Sequence, residues 1–584
     1  MQGDTSEVRL CFDFVGEESL EPLLLTRPVR TIAAYAQEEV LPALQAVQAA
    51  VSDQGLYAAG FVSYEAAPAF DPAMQVRIAS PLPLVWFGLF TAPTSPDIDP
   101  SSDPFAPGLW EASLSETQFT QDIAQIRAAI AAGECYQVNH TLRLRAPFTG
   151  DDFAWYRRLQ AAQQADYSAY LDLGRYRILS VSPELFFYRA GDRILTRPMK
   201  GTLPRGRWEE EDTQRAQELV DSEKERAENI MIVDLLRNDL GRIACTGSVQ
   251  VEKLFAVERY PTVLQMTSTV AADLPPATTL TDLFIALFPC GSVTGAPKIS
   301  AMHQIAMLET APRQVYCGAI GYLVPNGPTV FNVAIRTVLL DTETGVAEYG
   351  VGSGITWDST PQGEYAENRL KAQVLEQIWP RFDLLETLRL EQGVYTLLSR
   401  HVDRLCASAR YFGIPLQESA VQSVLLTHAQ ALDTCPWRIR LLVTPRGEIR
   451  TETFPLNALP PEGLRAALAL SPVSRRDRFL FHKTTHRIAY TTRRAERPDL
   501  DETLLWNEEG ELTEFTTGNL VVERDGHLWT PPLDCGLLPG TLRAELLAKG
   551  EISERVLHPS DLEAATAVWL INSVRGWVAI RLVS

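Results

Sequence analysis

The spacing of hydrophobic and polar residues predicts both strands and helices in the first part of the chain. Short apolar runs bounded by turns, such as 60–64 and 84–88, are typical of buried strands. Residues 35–51 and 119–132 have apolar side chains at helical spacing, and the alternation over 135–142 favours a strand. This part of the chain therefore mixes the two element types.

Two further predicted helices contain paired glutamates. The segment 221–242 begins with an acidic turn and becomes apolar, so its far end must be buried. Glu225 and Glu228 share one face of this helix, because residues three apart are neighbours on a helix surface. A second helix, near residue 364, has Glu364, Glu367 and Lys371 on one face.

These glutamate pairs have two interpretations. One is a solvated helix face with a Glu367–Lys371 ion pair, which contributes about a few tenths of a kcal/mol. The other joins the two helices into one site. Facing acidic pairs repel each other unless a divalent cation lies between them, and carboxylates with water and a substrate oxygen suit Mg²⁺.

Two glycine-rich runs can offer backbone N–H groups to an anion. The first, 289–298, contains Thr294 and leads into a predicted helix, and the second, 350–355, is predicted to follow a strand. Together with Arg336 they suit a substrate with two carboxylates. Neither is a nucleotide loop, because the Gly-x-x-x-x-Gly-Lys-Ser/Thr spacing is missing.

Composition narrows the class of protein. The chain has 584 residues, too many for one hydrophobic core, so we expect two or more domains. A net charge of −20 argues against a nucleic-acid partner, and no apolar run is long enough to cross a membrane. Residues 1–5 lack the features of a secretory signal, which predicts a cytosolic protein. The eight cysteines have no zinc-site spacing and are expected to be reduced thiols.

Lysine is rare in this chain, which makes each lysine a better candidate for amine chemistry. The 53 basic residues include only seven lysines, so 46 are arginine. Only the lysine amine can lose a proton near neutral pH and attack carbon. Lys200 lies between proline and glycine in 197–202, a pattern that is by itself more often a turn. Lys483 lies among hydroxyl and histidine side chains in 481–487, and Glu184 follows a predicted strand.

Several motifs occur in order along residues 1–378. They are 182–184 (Ser-Pro-Glu), 198–202 (Pro-Met-Lys-Gly-Thr), 225–242, 291–298, 335–337 (Ile-Arg-Thr), 352–354 (Gly-Ser-Gly) and 364–371. In these motifs the chain resembles the chorismate-utilising enzymes, most closely the branch that forms aminodeoxychorismate. The resemblance implies an α+β fold of two large antiparallel sheets with flanking helices, and chorismate bound between the sheets.

The same resemblance assigns roles to individual residues. It implies that Glu184 is the acid that protonates the departing C4 hydroxyl of chorismate. It implies that Mg²⁺ is held by Glu228 and Glu367, with support from Glu225 and Glu364. The residues that it implies for substrate binding, through side chains or backbone amides, are Arg336, Lys371, Gln137, Thr294, Gly352, Ser353 and Gly354.

Position 200 separates the branches of this family. Relatives that form anthranilate have alanine there, whereas those that form aminodeoxychorismate have a lysine, which is implied to attack C2 and to be displaced as ammonia adds at C4. Water-using relatives have a lysine base at the position that matches Gln137. Because glutamine cannot act as that base, ammonia is the expected nucleophile. Gln265, where anthranilate-forming relatives usually have histidine, agrees with this interpretation.

A second pattern begins after Trp379, with a strand at 382–389 and a helix that contains Arg404. Further motifs follow at 481–487, 512–520, 538–543 and 572–576. Through these, residues 379–584 resemble the class IV pyridoxal-phosphate enzymes, in particular those that act as aminodeoxychorismate lyases. The resemblance implies that Lys483 bonds the cofactor and transfers protons, that Glu514 faces the ring nitrogen, and that the phosphate is contacted by Arg404, Thr541, Leu542 and Ser573.

This second domain, an α/β domain by the resemblance, begins later than in stand-alone members of its family, because their usual leading segment is missing. Class IV enzymes generally dimerise, so the resemblance also implies a homodimer. Together the two resemblances predict a bifunctional enzyme that makes 4-aminobenzoate for folate. Residues 1–378 would aminate chorismate, and residues 379–584 would eliminate pyruvate with the help of pyridoxal phosphate.

Two further expectations concern partners and alternatives. The chain lacks the Gly-x-Cys-x-Gly turn of a glutamine-hydrolysing segment, so ammonia is expected from a separate glutamine amidotransferase subunit. The second domain has two alternative interpretations, which share its fold. It could be an amino-acid aminotransferase, or it could be an inactive docking module for the glutaminase.

Overall fold

The computed structural model describes residues 8–16, 18, 20–77, 81–94, 104–376, 378–460 and 462–583. The chain forms two compact units. The first comprises Met1–Pro204 and Ala216–Trp379, and the second comprises Arg205–Arg215 and Pro380–Ser584. The segment Arg205–Arg215 thus groups with the second unit, although the motifs before and after it belong to the first. The opening residues 1–5, from which a missing signal was predicted, lie outside the described residues.

Two ten-stranded sheets form the framework of the first unit, and their paired strands run antiparallel. In chain order its described strands are β1 (Arg9–Phe14), β2 (Leu23–Thr26), β3 (Arg30–Ala34), β4 (Tyr57–Val62), β5 (Val85–Phe90), β6 (Phe105–Pro107), β7 (Glu111–Ala112), β8 (Gln137–Gly150), β9 (Tyr167–Asp172), β10 (Tyr176–Ser182), β11 (Leu185–Ala190), β12 (Arg193–Arg197), β13 (Met199–Pro204), β14 (Gln250–Arg259), β15 (Val263–Asp273), β16 (Gly295–Ala296), β17 (Ala319–Leu323), β18 (Thr329–Val333), β19 (Thr337–Asp341) and β20 (Val346–Ile355).

The strand order of the first sheet is β16-β8-β20-β19-β10-β9-β1-β2, with β6 and β7 paired to β8. That of the second sheet is β13-β15-β12-β11-β18-β17-β4-β5-β3, with β14 paired to β15. The helices of this part of the chain are α1 (Gln37–Ser52), α2 (Glu116–Ala131), α3 (Asp152–Gln163), α4 (Glu209–Asp221), α5 (Glu223–Gly241), α6 (Leu280–Leu287), α7 (Lys298–Leu308) and α8 (Pro361–Ala372).

The core of the first unit has three apolar layers. Side chains of β1 and β9 pack against those of β4, β17 and β18, so the two sheets face each other across the central layer. Helices α1 and α6 cover the outer face of the second sheet, and α2 and α3 cover that of the first. Burial of both faces explains the continuous apolar runs that predicted these strands. The predicted α+β fold with two antiparallel sheets and flanking helices is confirmed.

Local capping sets where the site helices begin. Ser222 accepts a hydrogen bond from the Glu225 N–H (3.4 Å), so the predicted helix 221–242 starts as α5 only after this residue. Thr360 caps α8 in the same way (3.2 Å to the Gly363 N–H) and is followed by a proline in the first turn. Each cap fixes the phase of its helix, and with it the face on which the glutamates lie.

The second unit contains a four-stranded antiparallel sheet, β22-β21-β23-β24, and an eight-stranded mixed sheet, β27-β26-β25-β32-β31-β28-β29-β30, in which β27 also pairs with β28. Its strands are β21 (Leu384–Glu391), β22 (Val394–Tyr395), β23 (Trp437–Val443), β24 (Ile449–Pro455), β25 (Leu464–Leu468), β26 (Glu502–Trp506), β27 (Leu512–Phe515), β28 (Asn519–Arg524), β29 (His527–Thr530), β30 (Ser553–Glu554), β31 (Ala567–Asn572) and β32 (Gly576–Leu582). Its helices are α9 (Leu398–Phe412), α10 (Glu418–Gln430), α11 (Ile488–Ala495), α12 (Thr541–Ala548) and α13 (Pro559–Glu563).

The structure bears on two expectations from composition, the absence of a membrane span and the state of the cysteines. Among the described residues, no helix is both long and apolar enough to span a bilayer. The eight cysteines are unpaired; Cys245 and Cys435 are exposed and most of the others are buried. The cytosolic location stays a prediction.

Candidate active sites

Lys200 lies at an irregularity in strand β13. The pairing of β13 with β15 shifts register between Met199 and Thr202, which is a bulge. Gly201 within it has a φ of +95°, and a Cβ there would lie 3.1 Å from Glu225 Oε2. Glycine is therefore required at this position, and a bulge of this kind re-aims the neighbouring side chain.

The side chain of Lys200 lines a cavity of about 260 Å³ within the first unit. Most of the residues predicted for this site line the same cavity, although they come from both sheets and from helices α5 and α8. They are Glu184, Glu225, Glu228, Arg336, Gly352, Gly354, Glu364, Glu367 and Lys371.

Gln137 and Lys200 meet at the backbone of Gly354. A Cβ on Gly354 would lie 2.3 Å from Gln137 Nε2 and 2.9 Å from Lys200 Nζ, so only glycine allows this approach. Gln137 is fully buried, and its amide oxygen and nitrogen have no hydrogen-bond partner among the described residues. A buried amide without partners costs free energy, which a polar ligand would recover.

Glu184 has the properties of a proton donor near neutral pH. It is 2% exposed, and burial raises its pKa to about 7 despite a hydrogen bond from Ser292. One of its carboxyl oxygens, Oε1, has no partner among the described residues. Burial also lowers the pKa of Lys200, an effect that Glu228 opposes. The cavity therefore combines an acid that can keep its proton with an amine that can lose one.

Both interpretations of the glutamate pairs hold in part. Glu367 forms the ion pair with Lys371 (2.7 Å), whose Nζ also donates to the Gly352 carbonyl (2.9 Å). Yet α5 and α8 also line one cavity, and burial together with neighbouring carboxylates raises the pKa values of Glu225 and Glu228. This mutual repulsion is what a divalent cation would relieve.

The glutamates of this cavity fit an Mg²⁺ ion that is bound by only one or two protein carboxylates. No three acidic, histidine or cysteine side chains of the described residues converge closely enough to hold an ion alone. Mg²⁺ usually keeps several waters and binds one or two carboxylates together with substrate oxygens. The donor chemistry at Glu228 and its neighbours is compatible with that mode of binding.

The second glycine-rich run, 350–355, differs from its predicted structure. The prediction that 350–355 follows a strand is wrong, because these residues lie within β20 and pair with β8. Strand β19 pairs only with β20 residues up to Tyr349, so the Gly352 carbonyl on that side is free to accept from Lys371. In an antiparallel strand the N–H of a residue points to the same side as its carbonyl. Gly352 and Gly354 can therefore still offer amides at an open edge.

Gln137, Thr294 and Ser353 are the three residues predicted for substrate binding that do not line the cavity. The Thr294 hydroxyl donates to the carbonyls of Cys290 (3.1 Å) and Gly291 (3.3 Å), which closes the turn. Ser353 lies between two cavity glycines on a strand, and alternation directs its side chain to the opposite face. Ser292 and Val293 line the cavity where Thr294 was expected.

Lys483 lines a second cavity, of about 530 Å³, within the second unit. Burial lowers the pKa of this lysine to about 8, and Arg404 adds to the effect. Glu514 lines the same cavity and accepts hydrogen bonds from the Tyr490 hydroxyl (2.8 Å), the Leu538 N–H (2.9 Å) and Asn519 Nδ2 (3.0 Å). Burial raises the pKa of Glu514 to about 7.

The residues predicted for phosphate binding are linked by two others that the sequence analysis missed. Arg404 forms a bidentate pair with Glu386 (2.8 and 2.7 Å), which also contacts His401 Nδ1 (2.7 Å). The other nitrogen of His401 lies 2.9 Å from Ser573 Oγ and 3.3 Å from Thr541 Oγ1. Thr541 and Leu542 begin α12, where first-turn N–H groups have no intrahelical acceptor. The Leu542 side chain does not line the cavity.

The segment Arg205–Arg215 supports the loop that carries Lys483. The ring of Trp208 packs on Phe481 with centroids 5.0 Å apart, and His482 Nε2 lies 3.1 Å from the Arg207 carbonyl. Burial lowers the pKa of His482 to about 3, so its ring is neutral and donates from one nitrogen only. Nothing in the local pattern of these residues predicted this contact.

Both units of the chain match known protein families. Residues 9–377 match the family described as chorismate binding enzyme, and residues 383–583 match the family described as amino-transferase class IV. The first match covers more than half of the chain. The chain belongs to the chorismate binding enzyme family. Its second unit is a class IV aminotransferase domain.

Relatives of this chorismate binding enzyme include proteins named for different activities. The aminodeoxychorismate synthase component 1 of Salmonella typhimurium is 44% identical over 269 residues, which are 46% of this chain and 59% of that protein. The anthranilate synthase component 1 of Streptomyces coelicolor is 40% identical over 267 residues, which are 46% of this chain and 52% of that protein. The match therefore spans less than two thirds of either relative.

A solved structure shares the fold of the first unit. The crystal structure of anthranilate synthase component I from Streptococcus pneumoniae TIGR4 aligns with a TM-score of 0.52 and 29% identity. The alignment covers 63% of this chain and 92% of that chain. Relatives named for either activity match this chain at similar identity. The identity therefore does not distinguish the two activities, and the distinction has to come from the residues in the cavity.

Three residues of this chorismate binding enzyme that contact the predicted site residues gave weaker sequence signals. Ser292, which hydrogen-bonds Glu184, lies in a run that was singled out for its glycines. Gln163 accepts from Arg336 Nη1 (2.7 Å), and Asn229 donates weakly to the Lys200 carbonyl (3.4 Å). Gln163 ends α3 and Asn229 lies inside α5, and neither position has a local feature that marks it as functional.

Proposed function

We propose that this chain converts chorismate and ammonia into 4-aminobenzoate in two steps. The first unit makes 4-amino-4-deoxychorismate, and the second unit eliminates pyruvate from it. One observation supports the proposal most strongly. The cavity of the first unit is lined by an amine, Lys200, and an acid, Glu184, and the buried residue beside Lys200, where a water-activating base would be needed, is Gln137.

In the first step Lys200 acts as the nucleophile. Its amine attacks C2 of chorismate while the ring double bond shifts and the C4–O bond breaks. Glu184 gives its proton to the departing hydroxyl, so that water leaves. Ammonia then adds at C4 while the bond from C2 to Lys200 breaks, which regenerates the lysine, and the released proton returns to Glu184.

Other residues of this cavity bind the substrate. Mg²⁺ on Glu228 and Glu367, with Glu225 and Glu364 nearby, would supply positive charge for the ring carboxylate. Arg336, held by Gln163, and the open-edge amides of Gly352 and Gly354 suit the remaining carboxylate. Lys371 is shared between Glu367 and the Gly352 carbonyl, so it orients the metal side of the cavity.

In the second step the reacting groups are Lys483 and Glu514. Pyridoxal phosphate, when bound, supplies an electron sink for the carbon next to the substrate amine. Lys483 removes the proton from C4, and the enolpyruvyl group leaves and takes up a proton to become pyruvate. Glu514, fixed by three hydrogen bonds, holds the proton on the ring nitrogen. The network of Arg404, Ser573 and the first-turn amides of α12 suits the phosphate.

The proposal includes a partner. We expect ammonia from a separate glutamine amidotransferase subunit, in agreement with the name component 1 of the aminodeoxychorismate synthase from Salmonella typhimurium. We also keep the predictions of a cytosolic location and of a homodimer. In vitro, ammonium salts replace the partner.

Product analysis tests the whole proposal. The full chain, supplied with chorismate, Mg²⁺, ammonium and pyridoxal phosphate, should give 4-aminobenzoate and pyruvate without any keto-acid acceptor. Without the cofactor, 4-amino-4-deoxychorismate should accumulate. Anthranilate as the main product would overturn the first step.

The same assay decides between the interpretations of the second unit. An aminotransferase would need a keto acid and would form no 4-aminobenzoate. An inactive docking module would neither bind the cofactor nor consume aminodeoxychorismate. The buried Lys483 with Glu514 in one cavity supports an active cofactor site over a docking module.

A further inference from the structure

The cavity of the second unit has more arginines than the cofactor phosphate requires. In a chain with a net charge of −20, five arginines line this one cavity: Arg404, Arg438, Arg440, Arg487 and Arg575. Arg404 is paired with Glu386, and Arg440 is paired with Glu452 at 2.7 Å. Within the described part of the chain, neither Arg438 nor Arg575 has a carboxylate within ion-pair distance.

Strand register places Arg438 in an unfavourable position. It lies on β23 directly opposite Arg389 of β21, and opposite Phe454 of β24 on its other side. Its guanidinium lies over the Phe454 ring, 4.9 Å from the centroid, which keeps the side chain extended along the sheet. Like charges directly opposite each other destabilise a pair of strands. Arg438 is exposed, and its contact with the Phe454 ring offsets part of this cost, but no carboxylate of the described residues compensates its charge.

Arg575 brings a third guanidinium to the same region. It follows β31 in a tight turn, where the Asn572 side chain accepts from its backbone N–H (2.8 Å). Its guanidinium donates to the Asn457 carbonyl. Burial lowers its pKa, and Arg438 and Arg389 lower it further. Arg389 has Glu391 as a partner at 2.6 Å, so the uncompensated charges in this region are those of Arg438 and Arg575. The remaining cavity arginine, Arg487, donates to the Thr516 carbonyl and lies over the Tyr490 ring.

An anion between these two guanidiniums would relieve the repulsion. The phosphate of the cofactor is not needed for this, because Arg404, Thr541, Leu542 and Ser573 already form a site for it. The substrate proposed for this unit has two carboxylates in addition to its amine, one on the ring and one on the enolpyruvyl group. One of them is therefore a suitable occupant.

We propose that Arg438 and Arg575 form a carboxylate subsite, which selects amine substrates with two carboxylates over ordinary monocarboxylic amino acids. This inference rests on the proposed function, because it takes the substrate class from there. In an ordinary amino acid the single carboxylate adjoins the carbon that bears the amine, so the subsite of Arg438 and Arg575 would stay empty.

The first experiment measures binding without turnover. Isophthalate, a six-membered ring with two carboxylates, is titrated into the full chain loaded with pyridoxal phosphate. The visible absorbance of the lysine-bound cofactor reports occupancy of the second unit alone. Arg438→Gln and Arg575→Gln should each weaken isophthalate binding about tenfold or more, the loss expected for a charge-assisted hydrogen bond. Benzoate should bind more weakly than isophthalate and respond less to the substitutions.

A matched control removes an arginine that does not line the cavity. Arg450 lies on the neighbouring strand β24, is exposed, and pairs with Asp383 at 3.0 Å. Arg450→Gln should leave isophthalate affinity unchanged. Unchanged affinity in Arg438→Gln and Arg575→Gln, with the cofactor absorbance intact, would overturn the subsite.

The second experiment measures turnover of aminodeoxychorismate by the same variants. The KM for pyruvate release should rise about tenfold to a hundredfold, with kcat changed much less, because the lost contact is remote from the reacting carbon. Arg438→Lys should recover part of the loss. If the wild type releases no pyruvate, the proposed function fails, and the isophthalate titration still decides the subsite. If the wild type is active and the variants keep its KM, the subsite alone is wrong.

Discussion

The two units each bury a lysine, but the balance of charge around that lysine differs. Lys200 shares its cavity with five glutamates and three cations, Lys224, Arg336 and Lys371, whereas Lys483 shares its cavity with five arginines and one glutamate, Glu514. Burial lowers the pKa of both amines; a carboxylate opposes this at Lys200, and Arg404 reinforces it at Lys483. The residue type alone therefore does not define the chemistry. The surrounding charge would suit a metal-bound substrate in one cavity and an anionic cofactor in the other.

The buried glutamates Glu184 and Glu514 also differ in their surroundings. Burial raises the pKa of both Glu184 and Glu514 to about 7. Glu514 accepts three hydrogen bonds, so its carboxylate is fixed in one orientation. Glu184 keeps one oxygen without a partner among the described residues. The first arrangement suits holding a proton at a ring nitrogen, and the second suits passing a proton to a leaving group.

The largest effect is expected from removing the nucleophile. Lys200→Ala should reduce formation of aminodeoxychorismate by about three orders of magnitude or more, because alanine has no amine to attack C2. Products are separated by chromatography, with anthranilate as the side product to look for. Aminodeoxychorismate supplied directly should still be converted to 4-aminobenzoate. Near-normal synthesis by this variant would refute the nucleophile.

The reciprocal substitution tests the other lysine. Lys483→Ala should abolish 4-aminobenzoate formation and the visible absorbance of bound cofactor. The first unit should continue to work, so aminodeoxychorismate should accumulate at the wild-type rate. If 4-aminobenzoate still forms at a comparable rate, Lys483 is not the residue that bonds the cofactor.

A smaller effect is expected from the acid of the first unit. Glu184→Gln should slow aminodeoxychorismate formation by about 10²- to 10⁴-fold, the usual contribution of a positioned acid. Glu184 must be protonated to act, so wild-type activity should fall as the pH rises through about 7. The glutamine variant should lose this limb of the pH profile. A wild-type profile that stays flat between pH 6 and 8 would argue against Glu184 as the proton donor.

Much of the first cavity was accessible from the sequence because its residues lie on regular elements. Helical spacing put Glu225 and Glu228 on one face, and the same argument placed Glu364, Glu367 and Lys371 together. The caps at Ser222 and Thr360 agree with those phases. Local periodicity was sufficient here, since each group of residues belongs to one helix.

Sequence patterns were insufficient where long-range contacts decide the structure. Ser353 was treated as part of a free loop, but pairing with β8 makes it part of a strand and turns its side chain away. The link between Glu386 and His401 joins a strand to a helix and leaves no periodic signal. The grouping of Arg205–Arg215 with residues beyond 380 depends on contacts hundreds of positions apart, such as Arg205 with the Tyr411 carbonyl (2.8 Å).

A substitution in the segment Arg205–Arg215 gives the smallest expected effect. It tests how this segment stabilises the second cavity. Trp208→Ala removes a ring that packs on Phe481, two residues before Lys483. Loss of this packing should destabilise the second unit by about 1–3 kcal/mol and let pyridoxal phosphate dissociate a few times faster, as followed by its visible absorbance. Trp208→Phe should restore most of the retention. Trp357→Ala, which removes an exposed tryptophan of the first unit, should not alter it. Equal cofactor retention in Trp208→Ala and the wild type would mean that Arg205–Arg215 packs with the second unit without stabilising the loop of Lys483. The difference between the two cavities would then arise from their charged residues alone.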